Sequence, residues 1–349
     1  MKGLTFYGVR DLRYEEVPYP EIKNSTDAVV KVKAAGICGS DLARYRKLGP
    51  YVKGTVWGHE FSGDVVEIGS DVKNVKVGDR VVGAPVLPCF KCKECMCGRP
   101  YECDHSSVIG QYTGGCFAEY IRIPSINLVK MPDAMTYEEG ALAEPSTVTL
   151  HALYVSDITM GDEIAVVGCG TIGLLAMQWA RLFGAKTVYA LDINDKKLVA
   201  AKEAGADVVI NSKGKDVYEE IRKYTSEGVD IAFESSGNPI GVAQTLGLPK
   251  KSGEVIYIGV PYADVSIPRF YYERIVRCHL TVKGSFNNIS APFPGKEWTN
   301  AVKYFAEKAI NIDPVITHRV PLKDGPEIFE KIMENKDDYG KVILYPEEK

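Results

Sequence analysis

The hydrophobic and polar positions follow one pattern in the middle of the chain and another towards its two ends. Between positions 150 and 284, short apolar runs of strand length alternate with segments whose apolar residues recur at the helical period. The runs predicted as strands cover residues 164–168, 187–191, 207–210, 229–233, 254–259 and 280–283. Because strands that alternate with helices form parallel sheets, this segment predicts an α/β fold: a doubly wound domain with a six-stranded parallel sheet.

The segments on either side have a different texture. Residues 1–149 contain short β-like runs interrupted by Gly, Pro and Asp, which indicate a β-rich domain of the irregular-barrel kind. These runs are 28–32, 61–68, 80–82 and 117–123. The tail, 285–349, predicts two helices and a closing strand, at 298–308, 325–335 and 341–345. We expect the tail to rejoin the first domain, so that 1–149 and 285–349 form one domain and 150–284 is inserted in it.

A glycine-rich turn connects the first strand of the middle segment to its first helix. Gly168 permits a tight turn, Gly170 lets the backbone approach a pyrophosphate, and Gly173 lets the helix pack closely on its strand. The second strand is followed by Asp192, whose carboxylate would bind ribose hydroxyls and repel a 2′-phosphate, which favours NAD over NADP. A glycine-rich turn alone is weak evidence, but strand, helix, second strand and acid occur here in order. The predicted cofactor-binding residues are Gly168, Gly170, Thr171, Ile172, Gly173 and Asp192.

Composition and charge narrow the classes of function. A chain of 349 residues with 45% hydrophobic and 25% charged residues is typical of a globular protein with two domains of ordinary size. The formal net charge of −4 gives no indication of nucleic-acid binding. The N-terminal segment has no apolar signal core and no run reaches the length of a membrane span, so we expect a cytoplasmic protein without a membrane partner. In a reducing compartment, nine cysteines favour metal binding over disulfides.

Four cysteines are spaced closely enough to bind one metal ion. Cys89, Cys92, Cys95 and Cys103 follow the pattern C-x2-C-x2-C-x7-C, and the two-residue gaps let successive thiolates converge. Zn²⁺ accepts four sulfur ligands tetrahedrally, which leaves no open position, so the site predicted in this cysteine lobe (residues 89–103) is structural. Two alternatives stay open at this point: Cys97 in place of Cys95, and an iron–sulfur cluster in place of zinc.

A second candidate metal site is dispersed along the chain. Cys38, His59 and Glu144 offer a thiolate, an imidazole and a carboxylate, and three protein ligands would leave a fourth position for water or substrate. Taken alone, each residue is better explained as structural: a buried thiol, a histidine beside a turn, an acid in the first turn of a helix. Glu60 adjoins His59 and is either a group that supports or joins the metal ligands or a solvated acid at a strand edge.

Together these residues resemble the zinc-dependent medium-chain dehydrogenase/reductase family. The resemblance rests on Cys38-Gly39-Ser40-Asp41, Gly58-His59-Glu60, the cysteine lobe, Gly114-Gly115-x-Phe117-Ala118-Glu119-Tyr120, Glu144-Pro145 and the fingerprint at 168–173. It implies a GroES-like catalytic domain beside a Rossmann domain, with NAD as cofactor. It also implies two zinc ions per chain, a catalytic one at Cys38, His59 and Glu144 and a structural one in the cysteine lobe. A glutamate as the third ligand points to the polyol, sorbitol-type branch.

Three further motifs resemble enzymes that act on phosphorylated sugar alcohols: Leu87-Pro88-Cys89-Phe90, Gly284-Ser285-Phe286-x-Asn288 and the stretch PFPGKEW at 292–298. The activity implied is NAD-dependent oxidation of galactitol 1-phosphate to tagatose 6-phosphate, with Ser40 as the first proton acceptor. Many family members have a histidine on the proton path where this chain has Ala43. Threonine dehydrogenases carry a histidine where this chain has Tyr101, which counts against them. The candidate substrate-binding residues are Lys296, Asn288, Glu297 and Arg44.

Two other functions stay open. The first is oxidation of an unphosphorylated polyol such as sorbitol, xylitol or butanediol, which only the motif at 292–298 separates from the phosphorylated substrate. The second is a non-catalytic NAD-binding protein, against which the presence of all three open-site ligands argues. The apolar run 280–283 can end the central sheet and pair with its own copy, as an edge strand does, which predicts a homodimer or homotetramer.

Overall fold

The structure is a computed structural model that describes residues 1–334 and 339–347. The strands in these residues are β1 (Lys2–Gly8), β2 (Asp11–Glu16), β3 (Asp27–Gly36), β4 (Thr55–Val56), β5 (Glu60–Ile68), β6 (Arg80–Gly83), β7 (Val86–Leu87), β8 (Ser107–Val108), β9 (Tyr120–Pro124), β10 (Leu128–Lys130), β11 (Glu163–Val167), β12 (Thr187–Asp192), β13 (Val208–Asn211), β14 (Val229–Glu234), β15 (Pro249–Tyr257), β16 (Thr281–Gly284), β17 (Ile316–Pro321) and β18 (Lys341–Tyr345). The α-helices of the same residues are α1 (Gly39–Ala43), α2 (Lys93–Met96), α3 (Tyr137–Ala141), α4 (Ala143–Val155), α5 (Thr171–Leu182), α6 (Asp195–Glu203), α7 (Val217–Ile221), α8 (Pro239–Thr245), α9 (Arg269–Arg277), α10 (Lys296–Ala306) and α11 (Gly325–Met333).

These elements belong to two units. The first unit contains Met1–Thr147, Asn288–Ile312 and the described residues of Ile316–Lys349. The second unit contains Val148–Asn287 and Asp313–Val315. The chain therefore leaves the first unit after Thr147 and re-enters it at Asn288.

Strand β3 is the centre of the first unit. It pairs antiparallel with β5 along one edge, and along the other edge it pairs first with β9 and then, at Ala35 and Gly36, with β18. The sheet runs in the order β10-β6-β5-β3-β18-β17. Every residue of β3 except Lys31 and Lys33 is buried. This β-rich unit confirms the fold class predicted for the two ends of the chain.

Both ends of the chain contribute to the apolar core of the first unit. Phe6 of β1 packs edge-on against Trp57 with ring centroids 4.8 Å apart, and Phe329 of α11 packs against Tyr45 at 5.1 Å. All four rings are buried. Since burying one large apolar side chain stabilises the folded state by about 1.5–3 kcal/mol, these contacts attach the closing helix firmly to the first strands.

The second unit has a fully parallel sheet. Its six strands lie in the order β13-β12-β11-β14-β15-β16, and all of their pairings are parallel. This is the order of a doubly wound dinucleotide-binding domain, in which the chain reverses its direction of winding beside the first strand. The α/β fold and the six-stranded parallel sheet predicted from the sequence are confirmed.

Some element limits differ from the predicted ones for physical reasons. Strand β15 begins at Pro249, well before the predicted residue 254, and its pairing with β14 shifts register between the two. Its first residues include Lys250, Lys251 and Ser252, and this polar stretch hid the start of the strand from the hydrophobic pattern. Helix α10 begins at Lys296 and ends at Ala306, two residues before each predicted limit. Asn335, the predicted end of the last helix, lies outside the described residues.

The described helices are short. The longest, α4, has 13 residues, whereas a membrane-spanning helix needs about 20. None of the helices in residues 1–334 and 339–347 combines the length and the apolar character required to cross a bilayer.

Gly63 of β5 provides a test of the packing between the two central strands. A Cβ atom at this position would lie 2.1 Å from the backbone oxygen of Lys31 in β3, so neither strand has room for it. We expect Gly63→Ala to lower the free energy of unfolding by about 3 kcal/mol, because overpacking a tight contact costs about 1–3 kcal/mol and here the obstacle is backbone. Gly8→Ala is the matched control, since nothing lies within 4 Å of its added Cβ. Denaturant unfolding measures both, and equal effects would contradict this account of the contact.

Candidate functional site

A polar group forms in the first unit where β3 and β5 meet. Gly36 at the end of β3 pairs with Glu60 at the start of β5, so Cys38 and His59, which adjoin these two residues, lie at the same edge of the sheet. A Cβ atom on Gly36 would lie 2.1 Å from Oε2 of Glu60, which is why this position requires glycine. The Sγ of Cys38, a ring nitrogen of His59 and a carboxylate oxygen of Glu60 lie within 4.8 Å of one another.

Asp41 connects two members of this group. Cys38 is the N-cap of α1, and its backbone N–H donates to Oδ2 of Asp41 at 2.9 Å. The other oxygen, Oδ1, lies 3.7 Å from Nδ1 of His59, which leaves Nε2 as the ring nitrogen that does not face Asp41. Burial acts to lower the pKa of His59, but Asp41 and Cys38 outweigh it and raise that pKa well above its ordinary value. Asp41 belongs to the Cys38–Asp41 motif, yet the motif alone predicted no role for its carboxylate.

Glu60 is held by a buried lysine. Nζ of Lys341 donates to Oε1 of Glu60 at 2.8 Å, to Oε2 at 2.5 Å and to the backbone oxygen of Ile37 at 2.9 Å. Glu60 is 1% exposed and Lys341 is 2% exposed, so the alternative of a solvated acid at a strand edge is wrong. Burial alone would lower the pKa of Lys341, and the facing carboxylate of Glu60 reverses this and raises it. No sequence signal pointed to Lys341, because its partner lies 281 positions away.

Glu144 lies in the first turn of α4 and is held by the tail. Its Oε1 accepts a hydrogen bond of 2.8 Å from Nδ2 of Asn288, and the backbone oxygen of Asn288 accepts one of 2.8 Å from Nε1 of Trp298. Burial raises the pKa of Glu144 to about 7, while the charge of His59 opposes that rise. Glu144 is thus within electrostatic reach of His59, although the cluster within 4.8 Å contains Glu60 and not Glu144. The set Cys38, His59 and Glu144 stays a prediction.

The donor atoms of this group fit a zinc ion. Thiol, imidazole and carboxylate are the ligands that zinc takes in proteins, and such a site requires deprotonated thiolate and neutral imidazole. Ligating histidines and carboxylates usually have hydrogen-bonding or charged partners that orient them. Asp41, Lys341 and Asn288 stand in those positions for His59, Glu60 and Glu144 respectively.

The cysteine lobe forms a second cluster. The Sγ atoms of Cys89, Cys92, Cys95 and Cys103 lie within 4.8 Å of one another, whereas Cys97 is exposed and outside the group. The backbone N–H of Cys92 donates to Sγ of Cys89, and that of Cys89 donates to Sγ of Cys103, each at 3.3 Å. The backbone N–H of Lys91 helps to lower the pKa of Cys89 to about 6, which favours the thiolate that a metal ion needs. Burial and neighbouring thiols raise the pKa of Cys95 to about 12 when no cation shares the cluster.

The glycine-rich turn of the second unit has room for a ligand on one side only. Gly168 has φ +93°, and a Cβ on Gly173 would lie 1.9 Å from the backbone oxygen of Gly168, so both positions require glycine. Gly170 faces open space and is the N-cap of α5, where no side chain accepts from the helix N–H groups. Thr171 and Ile172 form the first turn of α5. The arrangement leaves the N-terminal N–H groups of α5 to an anion such as a pyrophosphate.

Asp192 lies beside this turn. One of its carboxylate oxygens accepts from the backbone N–H of Cys169 at 2.7 Å and the other accepts from that of Asn194 at 2.9 Å. The carboxylate is therefore fixed at the end of β12, next to the glycine-rich turn that would bind the pyrophosphate of a dinucleotide. These residues fit the predicted cofactor.

The structure distributes the predicted substrate residues over several places. Ser40 lies in α1, partly buried, two positions after Cys38. The guanidinium of Arg44 lies 3.4 Å from the ring centre of Tyr51 and donates to the backbone oxygen of Gly49 at 2.9 Å. Lys296 is exposed in the first turn of α10, and buried Glu297 accepts from Ser290 at 2.6 Å. Asn288 serves Glu144, and its Oδ1 is a buried atom without a hydrogen-bond partner among the described residues.

Two family patterns cover most of the chain. The family described as alcohol dehydrogenase GroES-like domain matches residues 24–133, and the family described as zinc-binding dehydrogenase matches residues 171–307. The first match contains Cys38, His59 and the cysteine lobe, and the second begins at Thr171 inside the glycine-rich turn and contains Asp192. One family match therefore covers the candidate metal-binding cysteines and His59, and the other covers part of the candidate dinucleotide-binding site.

Individual proteins match over nearly the whole length. The chain is 36% identical over 341 residues to galactitol 1-phosphate 5-dehydrogenase of Escherichia coli K12, covering 96% of this chain and 97% of the relative. It is 35% identical over 342 residues to L-threonine 3-dehydrogenase of Bacillus licheniformis, covering 95% of each. The crystal structure of galactitol-1-phosphate dehydrogenase from Escherichia coli superimposes with a TM-score of 0.94 at 34% identity, covering 99% of this chain and 100% of that one.

Cys95 in α2 and Cys97 at the C-cap of α2 give a direct test of which cysteines bind metal in the lobe. We expect Cys95→Ser to lose one bound zinc ion per chain, because it removes one of four clustered thiols. Cys97→Ser is the matched control and should keep the full zinc content, because Cys97 is exposed and outside the cluster. Zinc per chain is measured by atomic emission on dialysed protein. Loss of zinc in Cys97→Ser but not in Cys95→Ser would reverse the assignment.

Proposed function

Because the chain belongs to the zinc-dependent medium-chain dehydrogenase family, we propose that it oxidises a secondary hydroxyl of galactitol 1-phosphate to give tagatose 6-phosphate, with NAD as acceptor. The coarser activity, that of a zinc-dependent alcohol or polyol dehydrogenase, follows from the family itself. The observation that supports catalysis is the group of Cys38, His59 and buried Glu60, with Glu144 held by Asn288. A protein that only binds NAD has no use for such a group.

The proposed roles follow from the contacts. Cys38, His59 and Glu144 would hold the catalytic zinc ion, and Glu60, which lies beside Cys38 and His59, is bound by Lys341. When bound, zinc acts as a Lewis acid that lowers the pKa of a hydroxyl. Asp41 orients His59, and the burial of the carboxylates keeps water away from the reacting groups.

Ser40 is proposed to receive the proton that leaves the substrate hydroxyl. It follows Cys38 by two positions, and its hydroxyl can both accept and donate a hydrogen bond. Ala43 cannot pass the proton on, and the hydroxyl of Tyr45 donates to Glu330, so this tyrosine is engaged elsewhere. The proton then leaves from Ser40 through water.

The second unit is proposed to hold the dinucleotide. The N-terminal N–H groups of α5 beside Gly170 would hold the pyrophosphate, and the carboxylate of Asp192 would accept hydrogen bonds from the ribose hydroxyls. Because Asp192 is negatively charged, it disfavours the 2′-phosphate of NADP.

The choice of substrate rests on the tail motif and on the relatives. The stretch 292–298 resembles enzymes that act on phosphorylated sugar alcohols, and galactitol 1-phosphate 5-dehydrogenase is similar over almost the whole chain. An L-threonine 3-dehydrogenase is almost equally similar, and Tyr101 is the residue that counts against that activity. A free polyol such as sorbitol is the second candidate within the same chemistry.

The edge of the parallel sheet supports a proposal for assembly. Strand β16 ends the order of strands in the second unit, and three of its four residues are exposed, including Val282. An exposed strand edge offers unpaired backbone groups to a second strand. We infer a homodimer or homotetramer in which β16 pairs with its own copy.

The substrate assignment is tested by initial rates of NAD reduction. Galactitol 1-phosphate should give a kcat/KM at least tenfold above galactitol, sorbitol and L-threonine, because a phosphate adds a charged anchor, and a charge-assisted hydrogen bond contributes about 1.5–3 kcal/mol. Prior removal of zinc with a chelator should abolish the rate. Preference for a free polyol would keep the zinc chemistry and discard the phosphorylated substrate. Turnover that survives complete loss of zinc would discard the mechanism.

The cofactor assignment is tested at Asp192. We expect Asp192→Asn to raise the KM for NAD about tenfold and to improve the use of NADP, because the charge that repels the 2′-phosphate is removed. Asp195→Asn is the matched control: this acid lies in the first turn of α6 and accepts from Asn211, so it should leave both values unchanged. An unaltered ratio of NAD to NADP use in the Asp192 variant, with normal thermal unfolding, would contradict the assignment.

A further inference from the structure

The cysteine lobe presents one aromatic ring to the tail of the chain. Phe90 lies between Cys89 and Cys92 and has φ +56°, so its position is set by the turn that brings those two thiols together. Its ring packs edge-on against Phe293, with centroids 5.1 Å apart and an interplanar angle of 87°. Gly98 of the lobe lies near the same part of the tail, since a Cβ added there would be 3.6 Å from the Cβ of Ala291.

Phe293 and Ala291 belong to a loop, residues 288–295, that is closed on itself. The backbone N–H of Ser290 donates to the backbone oxygen of Pro294 at 3.2 Å, and the hydroxyl of Ser290 donates to Glu297 at 2.6 Å. Gly295 has φ +113°, and a Cβ there would lie 2.4 Å from the carboxylate of Glu297. Because these contacts tie Ser290 to Pro294 and Glu297, we expect a displacement of Phe293 to be transmitted to the first residue of the loop.

That first residue is Asn288. Its Nδ2 donates to Oε1 of Glu144, and the contact is buried. Asn288 reaches no other side chain through its amide, because its Oδ1 has no hydrogen-bond partner among the described residues. A buried amide oxygen without a hydrogen-bond partner lowers the stability of the fold. The amide of Asn288 is nevertheless oriented so that its Nδ2 donates to Glu144.

We propose that the cysteine lobe positions Glu144: the contact of Phe90 with Phe293 fixes the loop 288–295, and the loop fixes Asn288 on the carboxylate. Phe293 and Asn288 are positioning residues, because they act on the carboxylate of Glu144 and not on the reacting atoms. The inference rests on the proposed function in one respect, because it takes Glu144 as a ligand of the catalytic zinc ion. It assigns the stretch 292–298 a part in shaping the metal site rather than in contacting substrate.

The test measures zinc release from the fully loaded protein during titration with a competing chelator. Two release steps are expected, and the step that Cys38→Ala lacks belongs to the catalytic ion. Asn288→Ala and Phe293→Ala should each weaken that step about tenfold, because residues that support metal ligands usually contribute 10–100-fold in affinity. The double variant should be no weaker than Asn288→Ala, since Phe293 acts only through Asn288. The step that belongs to the lobe should not change.

Tyr19→Ala is the matched control. It removes a ring that lies 5.0 Å from Tyr120 in the same unit, far along the chain from the lobe and from the loop. It should release both zinc ions as the unaltered protein does. Additive effects of Phe293→Ala and Asn288→Ala, or an effect of Tyr19→Ala as large as that of Phe293→Ala, would overturn the proposal.

Trp298 supplies a readout that does not depend on zinc or on turnover. Its Nε1 donates to the backbone oxygen of Asn288. The variant Asn288→Ala keeps this backbone oxygen, whereas a displacement of the loop would break the hydrogen bond. We expect Phe293→Ala to shift the tryptophan emission to the red, and Asn288→Ala to leave it unchanged. The reverse order would overturn the proposal. An unaltered protein that releases only one zinc ion per chain would instead contradict the proposed function, and it would do so before any loop variant is made.

Discussion

The buried ion pair between Lys341 and Glu60 is the contact on which the geometry of the first unit depends. Moving two charges out of water costs several kcal/mol each, and the cost is offset only when the partners are close and fully hydrogen-bonded. Lys341 meets that condition with both oxygens of Glu60 and the backbone oxygen of Ile37. Because Lys341 opens β18 and Glu60 opens β5, the pair fixes the closing strand against β3 at the place where Cys38 and His59 converge.

The general architecture was accessible from the sequence because it depends on repeated patterns. The helical and strand periods of residues 150–284, the glycine-rich turn and the cysteine spacing each involve neighbours along the chain, so each leaves a local trace. Lys341 left none, and Asn288 was predicted only as a candidate substrate-binding residue and not as the partner of Glu144. Their partners lie 281 and 144 positions away, and a single lysine or asparagine carries no periodic signal. Asp41 was intermediate: it stood in a recognised motif, but its approach to His59 appears only when two strands are folded together.

The stretch 292–298 shows why an unusual motif needs a structure before it receives a role. From the sequence, its residues were candidates for contacting substrate. In the fold, Gly295 and Glu297 close a loop, and Trp298 supports the backbone of Asn288. The sequence alone does not show whether a motif is unusual because the backbone requires it or because the substrate requires it. Only the hydrogen-bond partners separate these two cases.

The hydrogen bond between Glu144 and Asn288 has a consequence for how such chains can recombine. Glu144 stands three residues before the chain leaves the first unit, and Asn288 is the residue at which it returns. The bond therefore joins the two segments through which the chain enters and leaves the inserted nucleotide-binding unit. Exchange of that unit at junctions between these two residues would leave Glu144 and Asn288 together in the host. A first junction upstream of Glu144 would instead take the carboxylate and its amide partner from different parent chains. The hydrogen bond between Glu144 and Asn288 thus marks the two positions between which we expect one nucleotide-binding unit to be replaceable by another.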